Sequence, residues 1–297
     1  MLGTTTPTQP EPAPSNRRRA IARRFADAHR GIDDASLLAY LSSPGADEIA
    51  DPKSDIDMSI VFQSLPDESV LAAACARVTR APWICHQGSL AEGCMVVALR
   101  VDGIEVQIGY CDHATLNARV NDLIVGHGPG AELPGLDQAI LKAEPLAGRA
   151  ELARLQARLT RFPPELARAM VKHFLAAPTP WRAISQIVDR DAALWCRELQ
   201  VDACYRLCGV SAALSQRYFT RFQVKRMRRL TAKFSHAPPQ LAERIERMME
   251  APPRDAFAQL FALEGEVLEL VAREMPQIDL AAVRLRRAAY DPPPLKH

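Results

Sequence analysis

Residues Leu37–Gln63 constrain the fold of this chain more than any other stretch. An apolar run is followed by a loop of small and polar residues, and Asp55-Ile56-Asp57 then leads into apolar Met58–Phe62. Alternate residues of a strand share one face, roughly 6–7 Å apart, so we expect Asp55 and Asp57 to point the same way. Two neighbouring carboxylates repel each other unless a cation lies between them, and Mg²⁺ prefers such oxygen ligands. The stretch therefore predicts two strands, with a Mg²⁺ site where the second strand begins.

This stretch resembles the signature of the DNA polymerase β-like nucleotidyltransferase superfamily. Ser54-Asp55-Ile56-Asp57 matches its Asp-x-Asp half, and Ala50-Asp51-Pro52-Lys53 is typical of the group. The superfamily's Gly-Ser turn corresponds to Ser42-Ser43 here, so that a serine replaces the glycine that lets backbone N–H groups approach a triphosphate. The resemblance implies an α+β fold and nucleotide transfer, with Asp55 and Asp57 holding Mg²⁺ and Ser42, Ser43 and Ser54 binding the nucleotide.

The composition is that of a globular chain with room for two domains. Of its 297 residues, 48% are hydrophobic, and the net charge of +2 is too small to indicate a nucleic-acid partner, although one stays possible. The basic clusters Arg17–Arg19 and Lys225–Arg229 are interpreted as solvated helix faces. Seven cysteines without paired spacing favour reduced thiols. We find no apolar run long enough for a membrane span and no signal peptide, so a cytoplasmic location is expected by default.

The first half of the chain predicts a small mixed sheet with helices on it. We expect a disordered leader over residues 1–15 and a nucleotidyltransferase domain over 16–130. One predicted helix begins at Arg17, is capped by Asn16 and is ended by Gly31, and a second extends over Pro66–Arg80. Asp102-Gly103 is the strongest hairpin signal. The predicted strands are Ala35–Leu41, Asp55–Gln63, Trp83–His86, Gly93–Val101 and Ile104–Tyr110.

Alternation along the last of these strands bears on a third carboxylate. If Ile104, Val106 and Ile108 face the core, Glu105 and Gln107 share the opposite face, on which Asp55 and Asp57 are also expected. The superfamily's third acid aligns with Gln107. Glu105 is the acid one pleat away, so we predict Glu105 as the third catalytic residue and metal ligand. The glutamine at the expected position raises the alternative of an altered site.

From residue 131 to 297 the pattern is all-helical. Leu141–Gly148 with Arg161–Leu166, and Arg217-Tyr218-Phe219 followed by Lys225, resemble bacterial antibiotic adenylyltransferases and a related uncharacterised group that carry a helical C-terminal domain. That resemblance implies that Lys225 contacts the triphosphate. One predicted helix, Ala114–Val125, precedes this region. Those within it are Leu136–Leu146, Glu151–Phe162, Glu165–Leu175, Pro180–Cys208, Ser211–Lys233, Pro239–Met249, Arg254–Arg273 and Leu280–Ala289.

The function that these resemblances imply is Mg²⁺-dependent transfer of a nucleoside monophosphate from an NTP, ATP above all, to a hydroxyl group. The acceptor is expected to be a small molecule. Transfer to tRNA or protein remains an alternative, since Arg221–Arg229 favours RNA slightly. A second alternative is a catalytically degenerate fold kept for binding or regulation, which Ser42 and Gln107 motivate. A third makes the helical half a protein-interaction module.

Overall fold

The computed structural model describes residues 14–32, 36–42, 54–126, 140–176, 187–188 and 190–288. These residues form a mixed six-stranded sheet and a set of α-helices, which confirms the predicted α+β class. The sheet has the order β3-β4-β5-β2-β1-β6. Its strands are β1 (Leu38–Leu41), β2 (Ile56–Phe62), β3 (Cys85–Ser89), β4 (Cys94–Val101), β5 (Ile104–Asp112) and β6 (Glu144–Ala147).

Strand β2 lies inside the sheet, antiparallel to β1 and parallel to β5. The β4–β5 hairpin is closed by the predicted Asp102-Gly103 turn, whose residues have φ values of 50° and 80°. Two consecutive positive φ values are typical of a type I′ turn, whose twist matches that of the flanking strands. The turn thereby fixes the register of β4 on β5, with Val101 opposite Ile104.

One face of the sheet forms the core of this part of the chain. Alternate residues Ile56, Met58 and Ile60 of β2 and Val106 and Ile108 of β5 are buried on it. Two helices pack against this face, and both contribute buried residues to the same cluster. They are α1 (Pro14–Arg30) and α2 (Glu68–Ala76).

Several predicted boundaries near the sheet are wrong, and the strand predicted at Trp83–His86 is found at Cys85–Ser89. The first helix already begins at Pro14, so Asn16 lies inside it and is not its N-cap. The predicted helix Leu136–Leu146 overlaps β6, which pairs with β1 through Leu41 opposite Glu144. Pro145 lies in β6, and an edge strand tolerates a proline because one side of the strand needs no hydrogen bonds.

The remaining helices make up most of the second half. They are α3 (His113–Ile124), α4 (Arg149–Thr160), α5 (Pro164–Ala176), α6 (Ala193–Leu214), α7 (Met227–Thr231), α8 (Leu241–Glu250), α9 (Pro253–Glu274) and α10 (Ala281–Ala288), with a 3₁₀ helix at Arg221–Arg226. Helix α6 packs against both α5 and α9. A Cβ at Gly209 of α6 would come within 2.5 Å of the Phe174 ring, so glycine permits the close approach of α5.

Two further helix predictions need correction. Residues 190–192 of the predicted helix Pro180–Cys208 are not helical and α6 begins at Ala193, while residues 180–186 and 189 lie outside the described residues. The predicted helix Ser211–Lys233 is interrupted after Leu214, where Gln216 has a φ of 51° that a continuing helix does not allow.

The chain divides into two compact units. The first comprises the described residues of Met1–Asn121 and Asp137–Thr160, and the second those of Asp122–Leu136 and Arg161–His297. The predicted boundary between residues 130 and 131 falls before β6 and α4, which the first unit includes. None of the helices in the described part of the chain combines the length and apolarity that crossing a bilayer requires.

Candidate functional site

The face of the sheet opposite the core carries the predicted site residues in successive cross-strand rows. One row contains Asp57, which pairs with Gln107 of β5, while the N–H of Ser42 donates to the Asp57 carbonyl at 2.7 Å. The next row contains Tyr40, Ser59 and Gly109. Sequence alternation thus predicted correctly which residues share this face.

The row of Tyr40, Ser59 and Gly109 lies on one side of the candidate site. The Tyr40 side chain is buried and hydrogen-bonds Ser59, and its burial raises the pKa of the phenol to about 12. A neutral, buried tyrosine contributes to packing and offers no charge to a ligand. The half-buried Asp57, Gln107 and Glu105 lie on the other side of this row, where β2 begins.

Asp55 and Asp57 lie at the end of the sheet where β2 begins. Asp57 is the second residue of β2 and Asp55 directly precedes the strand, with buried Ile56 between them. Both aspartates are half-buried. The alternation of buried and half-buried residues along β2 continues the two-residue repeat of a strand. Asp57 consequently belongs to the face opposite the core, and the half-buried Asp55, two residues before it, is consistent with the same alternation.

Glu105 and Gln107 share that face on β5, since Gln107 Nε2 donates to Glu105 Oε1 at 3.1 Å. Gln107 is the residue directly opposite Asp57, and Glu105 lies one pleat further along the strand. Across β4, Glu105 is paired with the exposed Arg100. Glu105 is thus a half-buried carboxylate that already accepts one hydrogen bond.

Two of the three predicted serines, Ser42 and Ser54, lie in the described residues, and the backbone of each makes a hydrogen bond. Ser42 continues the β1–β2 ladder past Leu41, so its N–H is engaged by Asp57 and is not available to a phosphate. Its half-buried side chain lies on the face of Asp57. Ser54 directly precedes Asp55, and its carbonyl accepts a hydrogen bond from Arg18. Ser43 lies outside the described residues.

Arg18 is the residue that the sequence prediction missed. Its side chain is 3% exposed, and its Nε donates to the Ser54 carbonyl at 3.0 Å, with Nη2 bonded to the same oxygen. The interpretation of Arg17–Arg19 as a solvated face is therefore wrong for Arg18. It is also wrong for Arg19, which forms a partly buried ion pair with Glu144 at 2.6 Å. Arg18 fixes the backbone immediately before Asp55.

Lys225 belongs to the second unit, where it is an exposed residue of the 3₁₀ helix Arg221–Arg226. The interpretation of Lys225–Arg229 as a solvated surface agrees with its exposure and with that of Arg226, Arg228 and Arg229. The role predicted for Lys225 at a triphosphate stays a prediction.

The donor set fits a Mg²⁺ ion that arrives with a nucleotide. Asp55 and Asp57 supply carboxylate oxygens, and Mg²⁺ is commonly held by one or two carboxylates together with substrate phosphates. Over the described residues, no three His, Cys, Asp or Glu side chains gather in an arrangement that could hold a metal. Glu105 therefore does not complete a preformed three-ligand set with the two aspartates, and its role as a ligand stays a prediction.

Comparison with known proteins gives little beyond this geometry. Neither protein-family models nor curated proteins yield a match to the chain. Among solved structures, the chain is similar to a nucleotidyltransferase-like protein from Exiguobacterium sibiricum 255-15, with 13% identity and a TM-score of 0.42, over 86% of this chain and 81% of that one. A likeness of this size carries no weight for fold or function, both of which rest on the residues described above.

Proposed function

We propose that this chain is a nucleotidyltransferase that moves a nucleoside monophosphate, AMP in the first instance, from an NTP to a hydroxyl group. The observation that carries the proposal is the pair Asp55 and Asp57, half-buried at the start of an inner strand and on the face opposite the core. The pair coincides with the Asp-x-Asp by which the sequence resembles the polymerase β-like superfamily.

In the reaction, the acceptor oxygen bonds to the α-phosphorus while the bond to the pyrophosphate oxygen breaks. Asp55 and Asp57 would hold Mg²⁺ and, through it, orient the triphosphate at the edge of the sheet. Bound Mg²⁺ supplies positive charge that stabilises the attacking and leaving oxygens. The Ser42 hydroxyl would donate to a phosphate oxygen, as would Ser43 and Ser54, and Lys225 would neutralise charge on the triphosphate. Those roles rest on the resemblance.

Glu105 would take the proton of the acceptor hydroxyl as that oxygen attacks. Its carboxylate faces the same side of the sheet as the aspartates, and Gln107 holds one of its oxygens in place. A general base must lie within hydrogen-bond reach of the proton that it removes, so the acceptor would enter beside β5. The proton would then be held on the Glu105 carboxyl group, which would return it to solvent or to the departing pyrophosphate.

We favour a small molecule as the acceptor over RNA. The Arg221–Arg229 segment is the feature that favoured RNA, and two of its cations are engaged by acids. Arg221 pairs with Asp202 at 2.7 Å, and Arg228 pairs with Glu246. Cations that are neutralised in this way contribute less to binding a phosphate backbone.

The experiment is a labelling screen. The full chain is incubated with Mg²⁺ and α-labelled NTPs, with separate pools of small hydroxylated molecules, tRNA and proteins, and pyrophosphate release is measured in parallel. We expect label in the small-molecule fraction, abolished by EDTA and by Asp57→Asn. Label confined to tRNA or protein would contradict the proposed acceptor, and no release of pyrophosphate with any pool would contradict transfer.

A catalytically degenerate site is the second candidate, favoured by Gln107 opposite Asp57 where the superfamily places an acid. It predicts that isothermal titration detects binding of Mg·ATP while no pool yields pyrophosphate above the Asp57→Asn background. Turnover that depends on Asp57 would exclude it.

A further inference from the structure

Cys94 of β4 and Cys111 of β5 lie directly opposite each other in an antiparallel strand pair. In the adjacent pair, the Asp112 N–H donates to the Gly93 carbonyl at 3.4 Å. Because hydrogen-bonded and non-hydrogen-bonded pairs alternate along such a ladder, Cys94 and Cys111 form a non-hydrogen-bonded pair. The Cα atoms of these pairs are typically about 4.5 Å apart, within the range of about 4.4–6.8 Å seen in disulfides. The typical spacing of such a pair is therefore compatible with a bond between the two sulfurs.

The two thiols differ in their surroundings. Arg119 of α3 directs Nη2 to Cys94 Sγ at 2.8 Å, and Cys94 is half-buried. A neighbouring guanidinium can stabilise the negative charge that develops on a sulfur as it attacks, and an accessible sulfur can be reached by a small molecule. Cys111 is 9% exposed, and its thiol donates to the Asp112 carbonyl at 3.3 Å. Burial raises the pKa of Cys111 to about 12, although Arg119 opposes the shift. Cys94 is thus the better nucleophile of the pair.

We propose that Cys94 and Cys111 form a reversible redox site, in which a small-molecule disulfide such as oxidised glutathione converts the two thiols to a cross-strand disulfide. The Cys94 thiolate attacks one sulfur of the small molecule, and one glutathione leaves as the thiolate. Cys111 then attacks Cys94 Sγ in the mixed disulfide, and its proton passes to the second glutathione, which leaves as the thiol. Two electrons pass from the cysteines to the small molecule, which is reduced to two thiols.

The oxidation state of Cys94 and Cys111 would change a contact made by α3. The helix begins at His113, directly after β5, and Asp112 accepts a hydrogen bond from the Thr115 N–H at 2.6 Å across its first turn. When Cys94 is in a disulfide, Arg119 no longer donates to a free Cys94 sulfur. Cys111 lies on the face of Gln107, roughly 13 Å further along β5 at about 3.3 Å per residue. The redox site is distinct from the proposed nucleotide site and does not depend on it.

The test uses the reduced full chain and oxidised glutathione at pH 7.5. Free thiols are alkylated at intervals, and the chain is cleaved after Glu92 and Arg100 so that Cys94 is separated from Cys85. We expect one linked pair of peptides, carrying Cys94 and Cys111, which dithiothreitol separates. The buried Cys196, Cys204 and Cys208 should stay reduced over the same time and serve as internal controls. A linked pair that contains Cys85, or no linkage while other cysteines react, would overturn the proposal.

Variants separate the two steps. Cys111→Ser should trap one glutathione on Cys94, whereas Cys94→Ser should show no rapid addition. Arg119→Gln should slow the addition at least fivefold, and Arg119→Lys, which keeps the charge, should slow it less. Circular dichroism establishes that each variant is folded. Addition to Cys94 that is equally fast in Arg119→Gln and in the unmodified chain would contradict the assigned role of Arg119. Failure of Cys111→Ser to retain glutathione would contradict the order of the steps.

Discussion

Strand β5 carries polar groups on both of its faces, and the two sets are treated very differently by the fold. On one face, Glu105 and Gln107 are half-buried beside the row of Asp57. On the other, Tyr110 is buried in the core together with His29 of α1 and Cys75 of α2. The same strand thus presents a polar set that a ligand can reach and another that is sealed.

The sealed set is fully hydrogen-bonded, and its directions can be assigned. His29 Nδ1 lies 2.7 Å from the Phe25 carbonyl, which can only accept, so Nδ1 carries the proton. Nε2 then accepts from the Tyr110 hydroxyl at 3.0 Å, and the Tyr110 oxygen accepts from the Cys75 thiol at 3.2 Å. Burial lowers the pKa of His29 and raises that of Tyr110, so all three side chains are neutral at pH 7.

The buried set of Tyr110 and the half-buried set near Asp57 therefore have different roles. A buried, satisfied network fixes the packing of α1 and α2 on the sheet, and every group that it contains is already committed. Half-buried carboxylates remain accessible to a ligand. Stability should therefore depend on the Tyr110 set and activity on the Asp57 set, and each prediction below tests that division.

The largest effect is expected from Asp57→Asn. Loss of the carboxylate removes a proposed Mg²⁺ ligand but hardly changes the side-chain volume, so transfer should fall at least a thousandfold while the free energy of unfolding stays within about 0.5 kcal/mol. Pyrophosphate release and urea denaturation measure the two quantities. Asp55→Asn should behave alike. A large loss of stability in either variant would mean that the aspartates are structural.

Tyr110→Phe should give the opposite pattern. Removal of the hydroxyl leaves His29 Nε2 without its donor in the core, which costs about 1–3 kcal/mol. Urea denaturation should detect that loss, and the transfer rate of the folded fraction should be unchanged. Asp57→Asn is the matched control, since it is expected to change only the rate. Equal stability of Tyr110→Phe and the unmodified chain would remove the network from the account.

Glu105→Gln should lower the transfer rate at least tenfold, because the amide cannot take the proton of the acceptor hydroxyl. The substitution keeps the shape and a hydrogen bond to Gln107, so little change in stability is expected. Rates are best compared at saturating ATP and acceptor. Unchanged activity would exclude Glu105 from the mechanism and leave Asp55 and Asp57 to act without it.

The smallest effect concerns pH. Since the pKa of His29 is lowered in the folded chain, the unfolded chain binds a proton first as the pH falls through about 6.5. The contribution of neutral His29 is complete above that pH and is lost towards the lowered pKa, by at most about 1.4 kcal/mol per pH unit. Urea denaturation should show that the free energy of unfolding differs less between pH 7.5 and pH 5.5 in His29→Gln than in the unmodified chain. An equal change in the free energy of unfolding with pH in both proteins would contradict a stabilising role of neutral His29.

Much of the sheet could be predicted because its signals are local. Alternating residues located β2 and β5, and Asp102-Gly103 located the β4–β5 turn. Strand β6 could not be predicted this way, since its four residues are all half-buried and include a proline. It exists because β1 offers it an edge, which is a property of the tertiary structure.

The site shows the same limit. The shared face of Asp55 and Asp57 follows from the period of a strand, but the contact of Arg18 with Ser54 joins residues 36 positions apart. A signal was present, since Arg18 lies three, four and seven residues before Ile21, Ala22 and Phe25, all buried on one face of α1. Local charge suggested a solvated arginine, whereas its position on the helix predicts burial.

Titration of ATP into the chain, with Mg²⁺ and with EDTA, tests the role of the two aspartates most directly. Asp57→Asn and Tyr110→Phe are titrated in parallel. We expect Mg²⁺ to strengthen ATP binding at least tenfold in the unmodified chain and in Tyr110→Phe, and to have no such effect in Asp57→Asn. Equal affinity with Mg²⁺ and with EDTA, or full Mg²⁺ dependence in Asp57→Asn, would contradict a metal held by these aspartates beneath the nucleotide.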